Sequence, residues 1–351
     1  MHVSPSNDTH NPSMTIKTTD LFSGIGGIRL GFDLACQARG IDSSCVFASD
    51  ISKNACKVYR DHFGNDPDPL CDITKVEPES LPDFDVLFGG FPCQPFSSSG
   101  HRKGFDDLRG TLFFNIAEII KVKRPSAVLL ENVKGLVNHD GGKTLNRIMT
   151  ALRDQLGYVT YSQVLNSKYF GVPQNRPRIY IVAFDSHKKV NGIQIGQGFK
   201  FPEENGPDVR LSSILQPNPV EERYYLSKSY WETLLRHRKN HEAKGHGFGY
   251  EIKTGNDIAN TIMCGGMGKE RNLIMDDSQR ELPDWANTDR IRTMTPIEWE
   301  RLQGINEGWT EAAPVSSRMR LLGNSVTVPV IQAVSEKMLD AMVNPGTIEA
   351  F

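Results

Sequence analysis

The run Gly89-Gly90-Phe91-Pro92-Cys93-Gln94-Pro95-Phe96 places a cysteine between two prolines, directly after an apolar stretch that ends at Phe88. Proline fixes its own φ and restricts the residue before it, so the thiol is aimed by a stiff loop. The carboxyl end of a strand is where open α/β sheets place their ligand crevices. A free thiol is only a few per cent ionised at neutral pH, yet it is intrinsically a strong nucleophile. The other cysteines, Cys36, Cys45, Cys56, Cys71 and Cys264, fit the plainer role of small apolar residues. No Cys-Xaa-Xaa-Cys pair and no Cys/His cluster at ligand spacing occurs, so no zinc site is expected and reduced thiols fit best.

Glu131 follows the apolar run Ala127 to Leu130 and so brings a carboxyl to the same sheet edge. Apolar surroundings raise a carboxyl pKa and suit it to proton donation; from this residue alone, a salt-bridged or helix-capping acid is the alternative. Gln174-Asn175-Arg176-Pro177-Arg178 adds two guanidiniums ahead of another buried strand, able to grip a phosphate, a base or the Glu131 carboxylate. The polar, glycine-punctuated stretch Ser97 to Gly110 carries His101, Arg102, Lys103 and Arg109 and suits a lid closing on a polyanion, with a solvated loop as the simpler alternative.

At the other end of the same chemistry, Asp20-Leu21-Phe22-Ser23-Gly24-Ile25-Gly26-Gly27 puts glycines where a strand hands over to a helix, so backbone can approach a ligand closely. Asp50, past the second strand, stands where a carboxylate takes both hydroxyls of a ribose. Asp72 is placed to accept from an adenine amino group, and both acids also suit helix N-caps. The spacing does not separate a dinucleotide, whose pyrophosphate sits on the helix N-terminus, from S-adenosylmethionine. Gly323-Asn324-Ser325-Val326-Thr327-Val328-Pro329 is a polar turn between apolar residues, which a helix start alone would explain.

These residues need a scaffold. From Thr15 to Asp185, short apolar runs alternate with helix-period segments, the signature of a parallel α/β sheet. Strands are expected at Ile16 to Phe22, Cys45 to Ser49, Phe84 to Phe88, Ala127 to Leu130, Tyr158 to Leu165 and Arg178 to Phe184. Leu112, Phe113, Ile116, Ile119 and Ile120 share one helical face, as do Leu145, Ile148, Met149, Leu152 and Leu156 before Gly157. Beyond Asp185 the texture turns to Gly, Pro, Asn and mixed charge. Regular structure returns at Thr295-Pro296-Ile297-Glu298, a capping box with proline at the first helical position; this helix is expected to stop at Gly304. A last amphipathic helix spans about Pro329 to Val343. The division is therefore a tail at 1–13, a catalytic and cofactor-binding domain at 14–185, a smaller irregular domain at 186–290, and a C-terminal segment at 291–351 that returns to the first domain.

The 351 residues carry 40 Lys+Arg against 42 Asp+Glu, a net charge of -2, so a nucleic-acid partner must be held by a local patch. No run reaches the roughly 18 apolar residues of a membrane span, and the first residues lack the features of a signal peptide; a cytoplasmic protein is expected.

Taken together, DLFSGIGGIRLGF, the Asp50 turn, CDI, GGFPCQPFSSSG, ENV, QNRPRIYIVAF, RTMTPIEWERLQG and GNSVTVPV closely resemble the DNA (cytosine-5)-methyltransferase family, in its compact bacterial form. The resemblance covers the chain except for Asp185 to about Arg290. It implies a Rossmann-like mixed sheet with helices on both faces and a target-recognition domain at 186–290. It also implies S-adenosylmethionine as methyl donor and double-stranded DNA as partner, with a monomer acting on one base and a possible cognate restriction endonuclease. By the same resemblance, Cys93 is the nucleophile that adds to carbon 6 of a flipped-out cytosine. Glu131 is the acid at ring nitrogen 3, and Arg178 contacts the base with Arg176 supporting it. Phe22, Gly24, Ile25, Gly26, Gly27, Asp50, Ile51, Asp72, Ile73, Gly90, Pro92, Asn324 and Val326 match cofactor-contact positions. The family often has tryptophan where this chain has Ile51. Gln94, Ser97, Ser99, Arg102, Lys103 and Arg109 fall on the DNA-closing loop. In the variable region, Arg236, Arg238, Thr261, Lys269 and Arg271 are candidate DNA contacts, the basic run being more often a solvated helix face. Relatives directed at tRNA carry a Cys-Phe-Thr tripeptide that does not occur here, and a catalytically silent homologue would lack Cys93 or Glu131.

Overall fold

A computed structural model describes residues 15–92, 111–245, 249–265, 268–278 and 281–345. The large unit is built on strands β1 (Thr15–Leu21), β2 (Asp42–Ser49), β3 (Val86–Gly90), β4 (Ala127–Val133), β5 (Tyr158–Asn166), a two-residue β6 (Gln174–Asn175) and β7 (Pro177–Asp185). Helices α1 (Gly27–Ala38), α2 (Lys53–Phe63), α3 (Leu112–Lys123) and α4 (Lys143–Thr150) alternate with them. The main sheet has the order β2-β1-β3-β4-β7-β5. Strands β1, β2, β3 and β4 are mutually parallel, but β7 runs antiparallel to both β4 and β5. The sheet is thus mixed, as the family resemblance implies; the alternation alone suggests parallel strands throughout, but β5 reaches β7 without a helical crossover and a direct return forces opposite directions.

Strands β3 and β4 are buried on both faces, so they read as unbroken apolar runs. On one face, Phe88, Leu129, Val182 and Phe184 pack with Ile28 and Phe32 of α1. The final helix α8 (Val328–Val343) joins that layer through Val334 and Met338. Gly31 allows the close approach of α1 to α8, since a Cβ there would lie 2.6 Å from Ile331. On the other face, Leu87, Val128 and Leu130 pack with Phe113 and Ile116 of α3 and Ile148 of α4. Beyond β7, the hairpin of β8 (Lys189–Val190) and β9 (Ile193–Gln194) leads to Ile195 and Phe199, which pack in the first of these layers.

The remaining chain holds α5 (Lys228–Glu242), β10 (Ile252–Lys253), β11 (Ala259–Asn260), β12 (Leu273–Met275), β13 (Ile291–Arg292), α6 (Pro296–Leu302) and α7 (Val315–Asn324). Strands β10, β12 and β13 form a small sheet, and α5 packs Trp231 and Leu234 with Tyr250, Leu273 and Ile291. Strand β11 pairs in parallel with β6, which joins this part to the Gln174–Arg178 segment. The capping box forms as expected, with Thr295 accepting from Glu298 N and Glu298 accepting from Thr295 N, and Gly304 ends the turn at φ 65. No helix among the described residues is long and apolar enough to cross a membrane.

Candidate active site

The glycine turn after β1 adopts the left-handed backbone its sequence anticipates, with φ 54 at Gly24 and φ 84 at Gly26; Phe22 joins it at φ 56. Any Cβ on Gly26 would meet the Phe63 ring at 2.2 Å, and one on Gly27 would meet Val326 Cγ2 at 2.9 Å. The second contact brings the Asn324–Val326 turn onto the start of α1. The N-cap of α1 is Gly26, which has no side chain to cap the first backbone N–H groups of the helix. Asp50 closes the turn from β2: one carboxylate oxygen accepts from Gly24 N at 2.9 Å and the other from Ser52 N at 2.7 Å. Each oxygen keeps a lone pair. Ile51 beside it is 75% exposed, an unusual posture for isoleucine, and provides a flat apolar surface. Asp72 caps the short turn Ile73–Lys75 by accepting from Thr74 N and Thr74 Oγ1, which holds its carboxyl below the usual range. The capping alternative for Asp72 is therefore realised, with Ile73 buried behind it. An apolar plate, a carboxylate beside it and an uncapped helix start fit the adenine, ribose and methionine parts of S-adenosylmethionine.

One acid here carried no sequence signal beyond its place in an apolar strand. Asp20 is fully buried, with Arg29, Asp33, Asp50 and Tyr59 around it, and burial pushes its carboxyl up to about 7.

The base end lies two strands away. Gly90 pairs with Glu131 across β3 and β4, and a Cβ on Gly90 would stand 3.8 Å from Glu131 Oε2. The antiparallel course of β7 sets Arg178 opposite Val133, bringing Arg178 Nε to 3.2 Å from Glu131 Oε1. Burial raises the Glu131 carboxyl, while Arg178 and then Arg176 pull it back. Both readings of Glu131, ion-paired acid and raised carboxyl, hold together. Asn132, not singled out in the sequence, donates from Nδ2 to the Phe91 carbonyl at 2.8 Å. It thereby ties the ENV strand to the chain one residue before Pro92, which is exposed. Cys93, Gln94, Ser97, Ser99, Arg102, Lys103 and Arg109 lie outside the described residues.

Arg176 does not join Arg178 on the carboxylate. It is 2% exposed and donates to the carbonyls of Ile262 at 2.9 Å, Gly323 at 3.1 Å and Ser325. Its support is a clamp across three chain segments. Gln174 works beside it, donating to Leu302 O and accepting from Ile262 N. Thr261 donates its hydroxyl to Asn175 O, so it serves the same junction. Arg236 and Arg238 are exposed on α5, Arg238 pairing with Glu242 at 2.9 Å. Lys269 and Arg271 are exposed beside β12, with Arg271 3.4 Å from Glu251. Asn324 is exposed and accepts from Cys264 Sγ at 2.9 Å. None of these is brought to the Glu131 carboxyl. Among the described residues no group of three or more acids, histidines and cysteines is arranged to hold a metal.

A mixed sheet with a glycine turn at one strand end and a buried acid–guanidinium pair two strands away is consistent with an S-adenosylmethionine-dependent methyltransferase, and the comparisons with known proteins establish that class. Residues 16–340 match the model of the C-5 cytosine-specific DNA methylases, and the chain belongs to that family; it is a DNA (cytosine-5) methyltransferase. It is 44% identical to Type II methyltransferase M.HpaII of Haemophilus parainfluenzae over 345 residues, covering 95% of this chain and 92% of that protein. It is 40% identical to Type II methyltransferase M.NlaX of Neisseria lactamica, covering 93% and 97%. Among solved structures, Schizosaccharomyces pombe Dnmt2 methyltransferase superposes with a TM-score of 0.67 at 22% identity, covering 93% of this chain and 98% of that one, a likeness of fold.

Proposed function

We propose that this enzyme methylates carbon 5 of a cytosine flipped out of a short, specific duplex DNA sequence, through a transient bond between Cys93 and carbon 6. The observation that carries the reading is the Glu131–Arg178 pair of β4 and β7, with Glu131 paired to Gly90 at the end of β3, two residues before Pro92. A nucleophile and a methyl donor must approach opposite faces of the pyrimidine ring, and stacking in a duplex blocks both, so the base has to leave the helix. Flipping costs a few kcal/mol, which phosphate contacts from the basic residues among Ser97 to Arg109 would offset.

Cys93 forms a bond to carbon 6 as the 5,6 double bond opens and its electrons move toward carbon 5. Glu131 holds a proton at ring nitrogen 3, which relieves the negative charge that the addition creates; its raised carboxyl suits that role. Arg178 fixes the Glu131 carboxyl and contacts the base from the same side. S-adenosylmethionine, when bound, supplies an electrophilic methyl on a sulfonium. Carbon 5 would take that methyl, leaving the donor as a neutral thioether; transfer of the carbon 5 proton to solvent then restores the double bond and expels the Cys93 thiolate. Asp50 and Ile51 hold the ribose and adenine, and the Gly24–Gly27 turn with Asn324 and Val326 holds the methionine end.

Residues 186–290 read the DNA sequence, with the exposed Arg236, Arg238, Lys269 and Arg271 as contacts, and residues 291–351 return to the catalytic unit. One flipped base occupies one subunit, so the chain acts as a monomer in the cytoplasm. The names of the relatives support a restriction-modification setting with a cognate endonuclease.

Cys93→Ser is expected to abolish methyl transfer to duplex DNA while DNA and cofactor binding persist. Substantial turnover by that variant would exclude the covalent route. Bisulfite sequencing of DNA from cells expressing the protein reports the modified cytosine and its flanking bases, and a parallel assay on tRNA separates the RNA-directed alternative.

A further inference from the structure

We propose that Trp309, far from the glycine turn in sequence, is a positioning residue that pre-sets this turn for the cofactor. The inference rests on the reading that the Gly24–Gly27 turn holds S-adenosylmethionine.

The indole Nε1 of Trp309 donates to the Ile25 carbonyl at 2.9 Å. The next N–H along the chain, that of Gly26, donates to Ser23 O at 2.8 Å. The Ile25–Gly26 peptide is thus pinned at both its oxygen and its nitrogen. Ile25 is itself buried in the same apolar cluster as Trp309, so its side chain cannot swing out and free the turn.

Trp309 is in turn held from two directions. Its ring stacks on His62 with centroids 3.5 Å apart and planes 8° from parallel, and His62 Nε2 lies 2.7 Å from the Trp309 carbonyl. Phe63 meets the indole edge-on at 5.8 Å, and Phe63 is the side chain that fills the space beside Gly26. From the other side, the fully buried Glu300 of α6 accepts from Gly308 N at 2.8 Å, Thr310 N at 2.9 Å and Arg318 Nη2 at 3.0 Å. The residues flanking Trp309 are therefore fixed on a single carboxylate. A loop of the C-terminal segment straps the cofactor turn into shape before any ligand arrives. Holding a site in its bound conformation raises affinity by reducing the ordering cost of binding.

Trp309→Phe retains an aromatic ring for His62 but cannot donate, leaving the Ile25 carbonyl unpaired in an apolar cluster. The dissociation constant for S-adenosylmethionine, measured by calorimetry, is expected to rise roughly five- to tenfold, the usual effect of one such hydrogen bond. The rate at saturating cofactor and the DNA affinity are expected to hold. His62→Phe, which keeps the stack and drops the contact to the Trp309 carbonyl, gives a smaller rise in the same direction. Asp50→Ala is run alongside, with thermal midpoints for all variants. If Asp50→Ala leaves cofactor affinity unchanged, the placement of the cofactor at this turn is wrong. If Asp50→Ala weakens binding while folded Trp309→Phe matches the parent, the strap has no positioning role. A Trp309→Phe variant that loses midpoint, rate and both affinities together marks a purely structural tryptophan and equally overturns the proposal.

Discussion

Two arginine–glutamate pairs in this protein differ in what surrounds them. Arg292 and Glu298 are completely buried, with two parallel contacts of 2.9 Å. Glu298 also accepts from Thr295 N at 2.8 Å and from Gln216 N at 3.0 Å, so the charge is fully compensated. Arg178 and Glu131 make one contact of 3.2 Å, and each side chain retains a little exposure. Among the described residues Glu131 accepts no hydrogen bond, and burial raises its carboxyl. The first pair holds the start of α6 to β13, whereas among the described residues the second is held by a single contact between β4 and β7. Asp20 is a different case, fully buried beside Arg29 and Tyr59, with burial outweighing both and raising its carboxyl.

The comparison breaks if Glu131 is structural. Glu131→Gln keeps the shape and removes the proton, so methyl transfer should fall by about 10²–10⁴-fold, the usual span for a general acid, with the thermal midpoint unchanged. A fall in midpoint with little loss of rate would make Glu131 a second Glu298. Arg292→Ala should do the converse: it leaves Glu298 buried and uncompensated, at a cost of about 3–5 kcal/mol in urea unfolding. Cofactor affinity in the fraction that still folds should be retained.

Asp20 sharpens the contrast through pH. Its folded-state value of about 7 lies above the ordinary 3.8. Below pH 4 both folded and unfolded chains are protonated at this site and it contributes nothing. Between pH 4 and 7 the unfolded chain ionises first, so stability falls, and above pH 7 the full penalty persists, at most about 4 kcal/mol. Asp20→Asn should therefore gain stability relative to the parent between pH 5 and pH 8; equal differences at both values would refute a raised carboxyl at this position. The smallest effect is at the edge of the Arg292–Glu298 pair. Thr295→Ala loses the cap on Glu298 N and should cost about 1–2 kcal/mol, readable as a lower denaturation midpoint at unchanged catalytic rate.

The local parts of this design were legible in the sequence. The apolar runs locate β3 and β4, the Thr295–Glu298 spacing specifies its capping box, and Gly24 and Gly26 occupy the left-handed conformations that glycine favours. What depends on chain direction or distant partners was not. Residue periodicity is the same in parallel and antiparallel strands, so nothing in Pro177–Asp185 reveals that β7 reverses and thereby carries Arg178 to Glu131. Helix α2 buries Ala55, Cys56, Val58 and Tyr59 on one face, but nothing in that pattern tells that His62 and Phe63 at its end stand behind the glycine turn. Arg176 looked like a partner for Arg178; its real acceptors are backbone carbonyls at 262, 323 and 325, which no side-chain pattern announces. Trp309 was invisible for the same reason, since its acceptor lies on the first turn of the fold.

The most direct measurement exposes the enzyme and S-adenosylmethionine to a library of DNA duplexes containing 5-fluorocytosine, where fluorine blocks the final loss from carbon 5. The account predicts a denaturant-resistant protein–DNA complex whose cross-linked peptide, by mass spectrometry, carries the nucleotide on Cys93. An enzyme that methylates ordinary cytosine in the same duplexes but yields no such complex, or yields one through another residue, would contradict it.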